Sequence, residues 1–174
     1  NLESEHSMFG YAVAASRVGV RTFTATSSQG LLYSHEQLHR ASRERIPLVI
    51  VNVNRAVFAP WSIEPELSDS MSQRDTGWVQ LYCENNQEVL DTTVQAFKLA
   101  EAVSLPVMVV LDAFFLSHTS EPVDIPEPAA VDAFLPRRTA ALKLDVADPH
   151  AFGALTTPAN IVGNPAISVP IEQL

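Results

Sequence analysis

The chain has 174 residues, 47% of them hydrophobic, which is enough apolar material for the core of a single domain. Its formal charge of −9 argues against nucleic acid and anionic membranes as partners, because both bind clusters of Lys and Arg. The single cysteine, Cys83, excludes an intrachain disulfide and an iron–sulfur cluster held by this chain alone, and no apolar run approaches the roughly 18 residues of a membrane span, so we expect a protein of the reducing cytoplasm.

Helix and strand patterns alternate up to residue 111. In chain order, the spacing of apolar residues predicts a helix over 5–18, a strand over 21–25, a helix over 31–45, strands over 48–51 and 79–83, a helix over 86–103 and a strand over 106–111. Ser34 with Gln37 predicts a capping box near the start of the second helix, and Asn85 with Glu88 predicts a cap for the third. This alternation is typical of a doubly wound α/β domain, in which helices cover both faces of a mostly parallel sheet.

The strand over 48–51 carries the clearest functional signal. Its residues are all apolar, as is typical of a strand buried on both faces, and Asn52, Asn54 and Arg55 follow at once. Open parallel sheets bind their ligands outside the carboxyl ends of the strands. Arg55 is therefore a candidate receptor for a carboxylate or phosphate, since its planar charged group donates two parallel hydrogen bonds. The alternative is a surface arginine paired with an acidic neighbour.

Other polar residues are expected near the same edge of the sheet. The strand over 21–25 is followed by a small polar turn that contains Ser27, Ser28 and Gln29. Asp112 follows the strand over 106–111. Glu5 lies at the start of the first helix, where the helix dipole by itself favours a carboxylate. We expect these side chains and Arg55 to line one crevice.

Two long segments carry no regular pattern. Residues 56–78 are expected to form an ordered functional loop, because a loop of that length inside a compact domain is usually either functional or disordered. Prolines recur from residue 121, and we predict that residues 121–174 form an extended arm that wraps a neighbour; the alternative is an irregular extension packed on its own domain. The α/β domain then covers residues 1–120 and, since it opens on a helix, is expected to lack its first strand.

The sequence contains no complete catalytic motif. It has neither a Walker-type phosphate loop nor a Gly-x-Gly-x-x-Gly fingerprint, and it has no Gly-x-Ser-x-Gly nucleophile elbow. The histidines do not have the spacing of zinc ligands. What remains are the polar groups gathered at the strand ends.

Six short segments carry a family resemblance. They occur in order with compatible spacing: SEHS at 4–7, TFTATSSQGL at 22–31, VNVNRA at 51–56, SDSM at 68–71, RDTGW at 74–78 and LDAFFLSH at 111–118. Together they closely resemble the α subunit of 2-oxoacid:ferredoxin oxidoreductases, the pyruvate type most of all, over about residues 4–153. One such segment is weak evidence, whereas the ordered set is specific.

The resemblance implies a subunit of a thiamine-diphosphate-dependent enzyme. Members of the family decarboxylate a 2-oxoacid, pass electrons through iron–sulfur clusters to ferredoxin and transfer the acyl group to coenzyme A. Their α subunit holds the aminopyrimidine of thiamine diphosphate, while a partner subunit brings the diphosphate and Mg²⁺ site and the clusters lie elsewhere. The resemblance thus implies a hetero-oligomer with other subunits, ferredoxin, coenzyme A and the 2-oxoacid as partners, and a chain without metal ligands that is inactive alone.

The resemblance also assigns roles to residues. Glu5 matches the glutamate that hydrogen-bonds the aminopyrimidine ring and promotes proton loss from the thiazolium carbon, so it is implied as both a catalytic and a cofactor-binding residue. Arg55 matches the arginine that binds the substrate carboxylate. Ser27, Ser28 and Gln29 match a loop near the cofactor and are implied as cofactor contacts only.

Two departures from the family support an alternative. The family usually has Gly-Asp-His before the SDSM segment, where this chain has Pro-Glu-Leu at 65–67, and residues 160–174 do not resemble the family. With the expected missing strand, these features favour a truncated or diverged α-like chain that acts as a noncatalytic structural partner. The intact Glu5, Arg55 and Ser-Gln-Gly loop favour the enzyme subunit, which is the leading hypothesis.

Overall fold

The computed structural model describes residues 2–138. Its elements in chain order are α1 Glu5–Arg17, β1 Phe23–Thr26, α2 Gln29–Tyr33, α3 His35–Arg43, β2 Val49–Asn54, α4 Ser68–Met71, β3 Val79–Tyr82, α5 Asn86–Val103, β4 Val107–Asp112 and α6 Pro128–Phe134. A single 3₁₀ turn, Arg74–Thr76, lies between α4 and β3. None of the helices between residues 2 and 138 is both long and apolar enough to cross a membrane.

The four strands form one parallel sheet in the order β1-β2-β4-β3. Strand β2 pairs with β1 on one side and β4 on the other, and Asn54 lies opposite Asp112 in the β2–β4 register. Because every pair is parallel, the carboxyl ends of all four strands meet at one edge of the sheet. The parallel sheet confirms the predicted α/β fold class.

Helices cover both faces of the sheet, each over its own apolar cluster. On one face α1 and α3 pack on a cluster that includes Phe9, Val13, Leu38, Leu48, Ile50 and Met108. On the other face α5 packs on a cluster that includes Val49, Ala96, Ala100, Val107 and Val109. Alternate residues in the first half of β2 therefore enter opposite clusters, which is why residues 49–51 are continuously apolar, whereas Asn52 and Asn54 follow in its second half.

Two helix starts show which of the predicted caps form. Asn85 caps α5, since its Oδ1 accepts a hydrogen bond from the backbone N–H of Glu88 at 2.9 Å, as predicted. The capping box predicted at Ser34 and Gln37 is wrong. The Ser34 hydroxyl donates instead to the carbonyl oxygen of Gly30 at 3.0 Å, and the predicted second helix is divided there into α2 and α3.

The described start of the predicted arm lies against its own domain. Helix α6 begins with a proline, which is well tolerated at the first helical position because its missing N–H would have had no partner there. The ammonium of Lys98 in α5 lies 4.0 Å from the centroid of the Phe134 ring. Arg21 donates to the carbonyl oxygen of Pro136 at 2.8 Å. Residues 139–174 lie outside the described residues, so an arm that wraps a neighbour stays a prediction.

Candidate functional site

The turn after β1 is hydrogen-bonded to the end of β2 and to the loop that follows it. The Ser27 hydroxyl donates to the carbonyl oxygen of Val53 at 2.8 Å, and the Ser28 hydroxyl donates to that of Ala56 at 2.6 Å. These two acceptors lie on either side of Arg55 along the chain. The parallel pairing of β1 and β2 thus brings the predicted residues Ser27, Ser28 and Arg55 to the same edge of the sheet.

Ser28 has an unusual backbone conformation. It is fully buried, its φ is 51°, and it precedes the first residue of α2 without capping that helix through its side chain. A non-glycine residue with positive φ is uncommon and costs energy unless its surroundings hold it there. Its hydroxyl also contacts the amide oxygen of Gln29, and the Gln29 amide donates to the carbonyl oxygen of Ala59 at 3.3 Å. The whole turn is therefore tied to the β2 loop.

The side chain of Arg55 has no acidic partner among residues 2–138. Its Nε is buried and has no hydrogen-bond partner. None of the ion pairs in this part of the chain involves Arg55. A buried guanidinium N–H without an acceptor is energetically unfavourable, and an anion that reached it would relieve that cost.

Glu5 lies against Gly30 at the start of α1. It is exposed, and it follows Ser4, which caps the helix. A Cβ added at Gly30 would lie 2.9 Å from the Glu5 Cγ and 2.6 Å from the Thr26 Oγ1, which is closer than real Cβ atoms approach other atoms. The absence of a side chain at Gly30 thus lets Glu5 lie beside the Ser27–Gln29 turn. An open hollow of about 350 Å³ beside Glu5 is lined by Leu2, Glu3, Ser4, Glu5 and Met8.

We expect Gly30→Ala to lower the free energy of unfolding by about 1–3 kcal/mol, because the added methyl group displaces Glu5 or Thr26. Gly10→Ala is the matched control within α1. Its Cβ would meet only the Gln37 side chain, at 3.8 Å, so the better helix propensity of alanine should stabilise by up to about 1 kcal/mol. Chemical denaturation of both variants measures the difference, and equal stability of the two would contradict this account of Gly30.

The contacts of Asp69 were not among the predictions from the sequence. This residue is fully buried in α4. Its Oδ2 accepts hydrogen bonds from the backbone N–H groups of Ser28 at 3.0 Å and Arg55 at 3.2 Å, and from the side-chain amide of Asn52 at 3.1 Å. Its Oδ1 accepts from the backbone N–H of Ser70 at 2.7 Å. The only signal in the sequence was its place in the SDSM segment, which carries no indication of these partners.

Asn54 extends this network to a third strand end. The Asn52 amide donates to the Asn54 Oδ1 at 3.0 Å, and the Asn54 amide donates to the Asp112 Oδ1 at 3.4 Å. The polar groups predicted at the ends of three strands are thus connected. No group of three or more histidine, cysteine or acidic residues within the described part of the chain is arranged to hold a metal ion.

Electrostatic effects near the site are local. The Ser7 hydroxyl donates to Glu3 and lowers the pKa of that carboxyl, which therefore stays ionised beside Glu5. Burial raises the pKa of the Cys83 thiol, which directly follows β3, so this thiol stays protonated and poorly nucleophilic at neutral pH.

The comparisons with known proteins agree with each other. A family model described as "Pyruvate flavodoxin/ferredoxin oxidoreductase, thiamine diP-bdg" matches residues 1–163. The chain is 52% identical over 160 residues to the ketoisovalerate oxidoreductase subunit VorA of Pyrococcus horikoshii, covering 91% of this chain and 41% of that protein. It is 48% identical over 159 residues to the pyruvate synthase subunit PorA of Methanothermobacter thermautotrophicus, covering 90% of this chain and 42% of that protein.

A solved structure gives the same result. The 2-oxoglutarate:ferredoxin oxidoreductase of Magnetococcus marinus superposes with a TM-score of 0.57 and 28% identity, over 64% of this chain and 21% of that chain. The chain spans about two-fifths of the length of the curated relatives that it matches.

Proposed function

The chain belongs to the pyruvate flavodoxin/ferredoxin oxidoreductase family, within its thiamine-diphosphate-binding domain, and we propose that it is the α-subunit portion of a 2-oxoacid:ferredoxin oxidoreductase. The proposed reaction releases the carboxyl group of the 2-oxoacid as CO₂, transfers the acyl group to coenzyme A and passes the electrons to ferredoxin. Pyruvate is the first substrate to test. Ketoisovalerate is the second substrate to test, because the chain is nearly as identical to the pyruvate synthase subunit as to the ketoisovalerate oxidoreductase subunit.

The position and surroundings of Arg55 are the main evidence for this proposal. A buried guanidinium N–H without a described partner, at the carboxyl end of a central parallel strand, has the charge and the position that a substrate carboxylate requires. In a site from which water is excluded, two parallel charge-assisted hydrogen bonds to a carboxylate are stronger than they are at a surface. Arg55 would thus hold the carboxylate end of the 2-oxoacid and fix its orientation.

The residues around Gly30 fit thiamine diphosphate. When bound, this cofactor supplies the electron sink that the decarboxylation needs. Glu5 would hold the aminopyrimidine ring by sharing a proton between its carboxyl oxygen and a ring nitrogen. The lack of a Cβ at Gly30 keeps space for the Glu5 side chain beside the turn that contains Ser27, Ser28 and Gln29. Ser27 and Gln29 would contact the cofactor and close one side of the site, whereas Ser28, predicted as a contact, is fully buried and would hold the turn in place.

The remaining parts of the enzyme are assigned to other chains. We place the Mg²⁺ and diphosphate site and the iron–sulfur clusters on partner subunits, because Cys83 is the single cysteine of this chain. A partner that covers Glu5, which is exposed here, would also exclude water from the reacting groups. The cytoplasm is the proposed location, since a free cysteine suits a reducing compartment.

We expect the isolated chain to reduce no ferredoxin when supplied with pyruvate, coenzyme A and thiamine diphosphate, and to show no visible absorbance from a cluster. Steady-state assays of the purified chain, and of the complex with its partner subunits, measure both. The complex should turn over at least one of pyruvate and ketoisovalerate. Turnover by the chain alone would refute the division of labour, and a complete, cluster-loaded complex without activity on any 2-oxoacid would support a structural role instead.

A further inference from the structure

Asp69 is a buried charge that no described cation neutralises. It is fully buried, and none of the ion pairs among residues 2–138 includes it. Four N–H donors stabilise it instead, three on Oδ2 and one on Oδ1. An unpaired carboxylate in a protein interior is strongly unfavourable unless such donors surround it. The stabilisation of this charge therefore requires that the segments carrying the donors stay close together.

Two of the four donors come from the two segments that form the candidate site. Ser28 donates from the turn after β1, and Arg55 donates from the loop after β2. Both bonds use backbone N–H groups, so they fix the course of the main chain rather than one side chain. The backbone nitrogen of Arg55 is bonded directly to the Cα that carries its side chain. A shift at this point would therefore move the charged group directly.

Ser70, the residue after Asp69, is hydrogen-bonded to β3, the edge strand on the other side of the sheet from β1. Gln80 in β3 donates its side-chain amide to the carbonyl oxygen of Ser70 at 3.0 Å. The hydroxyl of Tyr82, at the end of β3, donates to the Ser70 hydroxyl at 3.1 Å. Helix α4 thus connects two parts of the fold. Ser70 bonds it to strand β3, and Asp69 bonds it to the segments after β1 and β2.

We propose that Asp69 is a positioning residue, which sets the guanidinium of Arg55 relative to the Ser27–Gln29 turn through its bonds to the backbone N–H groups of Ser28 and Arg55. This inference rests on the proposed function for its link to the substrate. The positioning itself is independent of which 2-oxoacid the enzyme uses. A misplacement of a binding group by about 1 Å is enough to weaken substrate use by orders of magnitude.

Asp69→Ala tests the positioning directly. The variant removes both accepting oxygens, so the backbone N–H groups of Ser28 and Arg55 lose their acceptor. In the assembled enzyme without substrate, we expect hydrogen exchange at the amides of Ser28 and Arg55 to accelerate at least about tenfold. The amide of Ile46, which donates to the carbonyl oxygen of Ala41 at 2.9 Å, is the internal reference and should not change.

The same variant tests the link to the substrate. We expect its KM for the 2-oxoacid to rise about tenfold or more, with kcat within about threefold of the wild type. Ser16→Ala is the matched control, because it removes another buried hydrogen bond, from the Ser16 hydroxyl to the carbonyl oxygen of Pro47 at 2.9 Å, before the amino end of β2. It should leave both KM and the two exchange rates unchanged.

A milder variant covers the case in which Asp69→Ala does not assemble. Asn52→Ala removes one of the four donors and leaves the carboxylate in place, so the same changes should appear at smaller size, and this variant then decides alone. Unchanged exchange at Ser28 and Arg55 overturns the positioning role. Faster exchange with a KM no higher than in Ser16→Ala overturns the link to the substrate. A wild-type complex that uses no 2-oxoacid would refute the proposed function. The exchange rates at Ser28 and Arg55 would still test the positioning role of Asp69.

Discussion

In the assembled enzyme, Glu5→Gln should lower the turnover rate by about two to four orders of magnitude, the usual effect of removing an acid–base group. The amide keeps the size of the side chain and a hydrogen bond to the aminopyrimidine ring, but it cannot share a proton with a ring nitrogen. Thiamine diphosphate should therefore still bind. Steady-state turnover, with cofactor content measured on the same preparation, separates the loss of proton transfer from the loss of the cofactor.

Glu3→Gln is the control for this variant. Glu3 lies two residues before Glu5, carries the same charge, and accepts a hydrogen bond from the Ser7 hydroxyl instead of contacting Gly30. Its replacement should lower the rate far less than that of Glu5 does, because Glu3 lines the same hollow but is bonded to Ser7. The direct measurement is exchange of the proton on the thiazolium carbon. If Glu5→Gln leaves that exchange unchanged, Glu5 does not have the catalytic role.

The strands and their order along the chain were predictable because burial on two faces leaves a plain pattern. Leu48 and Ile50 pack in one cluster and Val49 packs in the other, so the run over residues 48–51 is apolar without interruption. The Ser34 cap was not predictable in the same way. A serine hydroxyl has a competing acceptor one helical turn earlier, here the carbonyl oxygen of Gly30, and the sequence does not decide between the two.

The place of the candidate site followed from topology alone. Parallel strands end at one edge, so residues directly after β1 and β2 had to lie close together, and Ser27, Ser28 and Arg55 do. The role of Asp69 could not be derived. An aspartate in a polar loop is usually solvated, and only the fold reveals that this one is buried among four N–H donors.

Arg55→Ala should reduce kcat/KM for the 2-oxoacid by roughly 30-fold to several thousand-fold, which corresponds to a loss of about 2–5 kcal/mol in transition-state stabilisation. The alanine leaves the substrate carboxylate without its partner in a site where water cannot replace it. Arg55→Lys keeps the charge but loses the planar pair of donors, so its kcat/KM should fall between those of the wild type and the alanine variant. Steady-state kinetics with pyruvate and with ketoisovalerate, together with melting curves that confirm the fold, measure both variants.

Arg40→Ala is the matched control for a surface arginine. Arg40 pairs with Glu44 one turn further along, at 2.9 Å, and such exposed pairs contribute only about 0.3–0.5 kcal/mol. Its removal should leave kcat/KM unchanged, because the pair lies around the end of α3, which precedes the amino end of β2. If Arg55→Ala behaves like this control, with kcat/KM within about twofold of the wild type for every 2-oxoacid tested, then Arg55 does not bind the carboxylate. The buried guanidinium N–H would then require another acceptor, and the substrate part of the proposed function would fail with it.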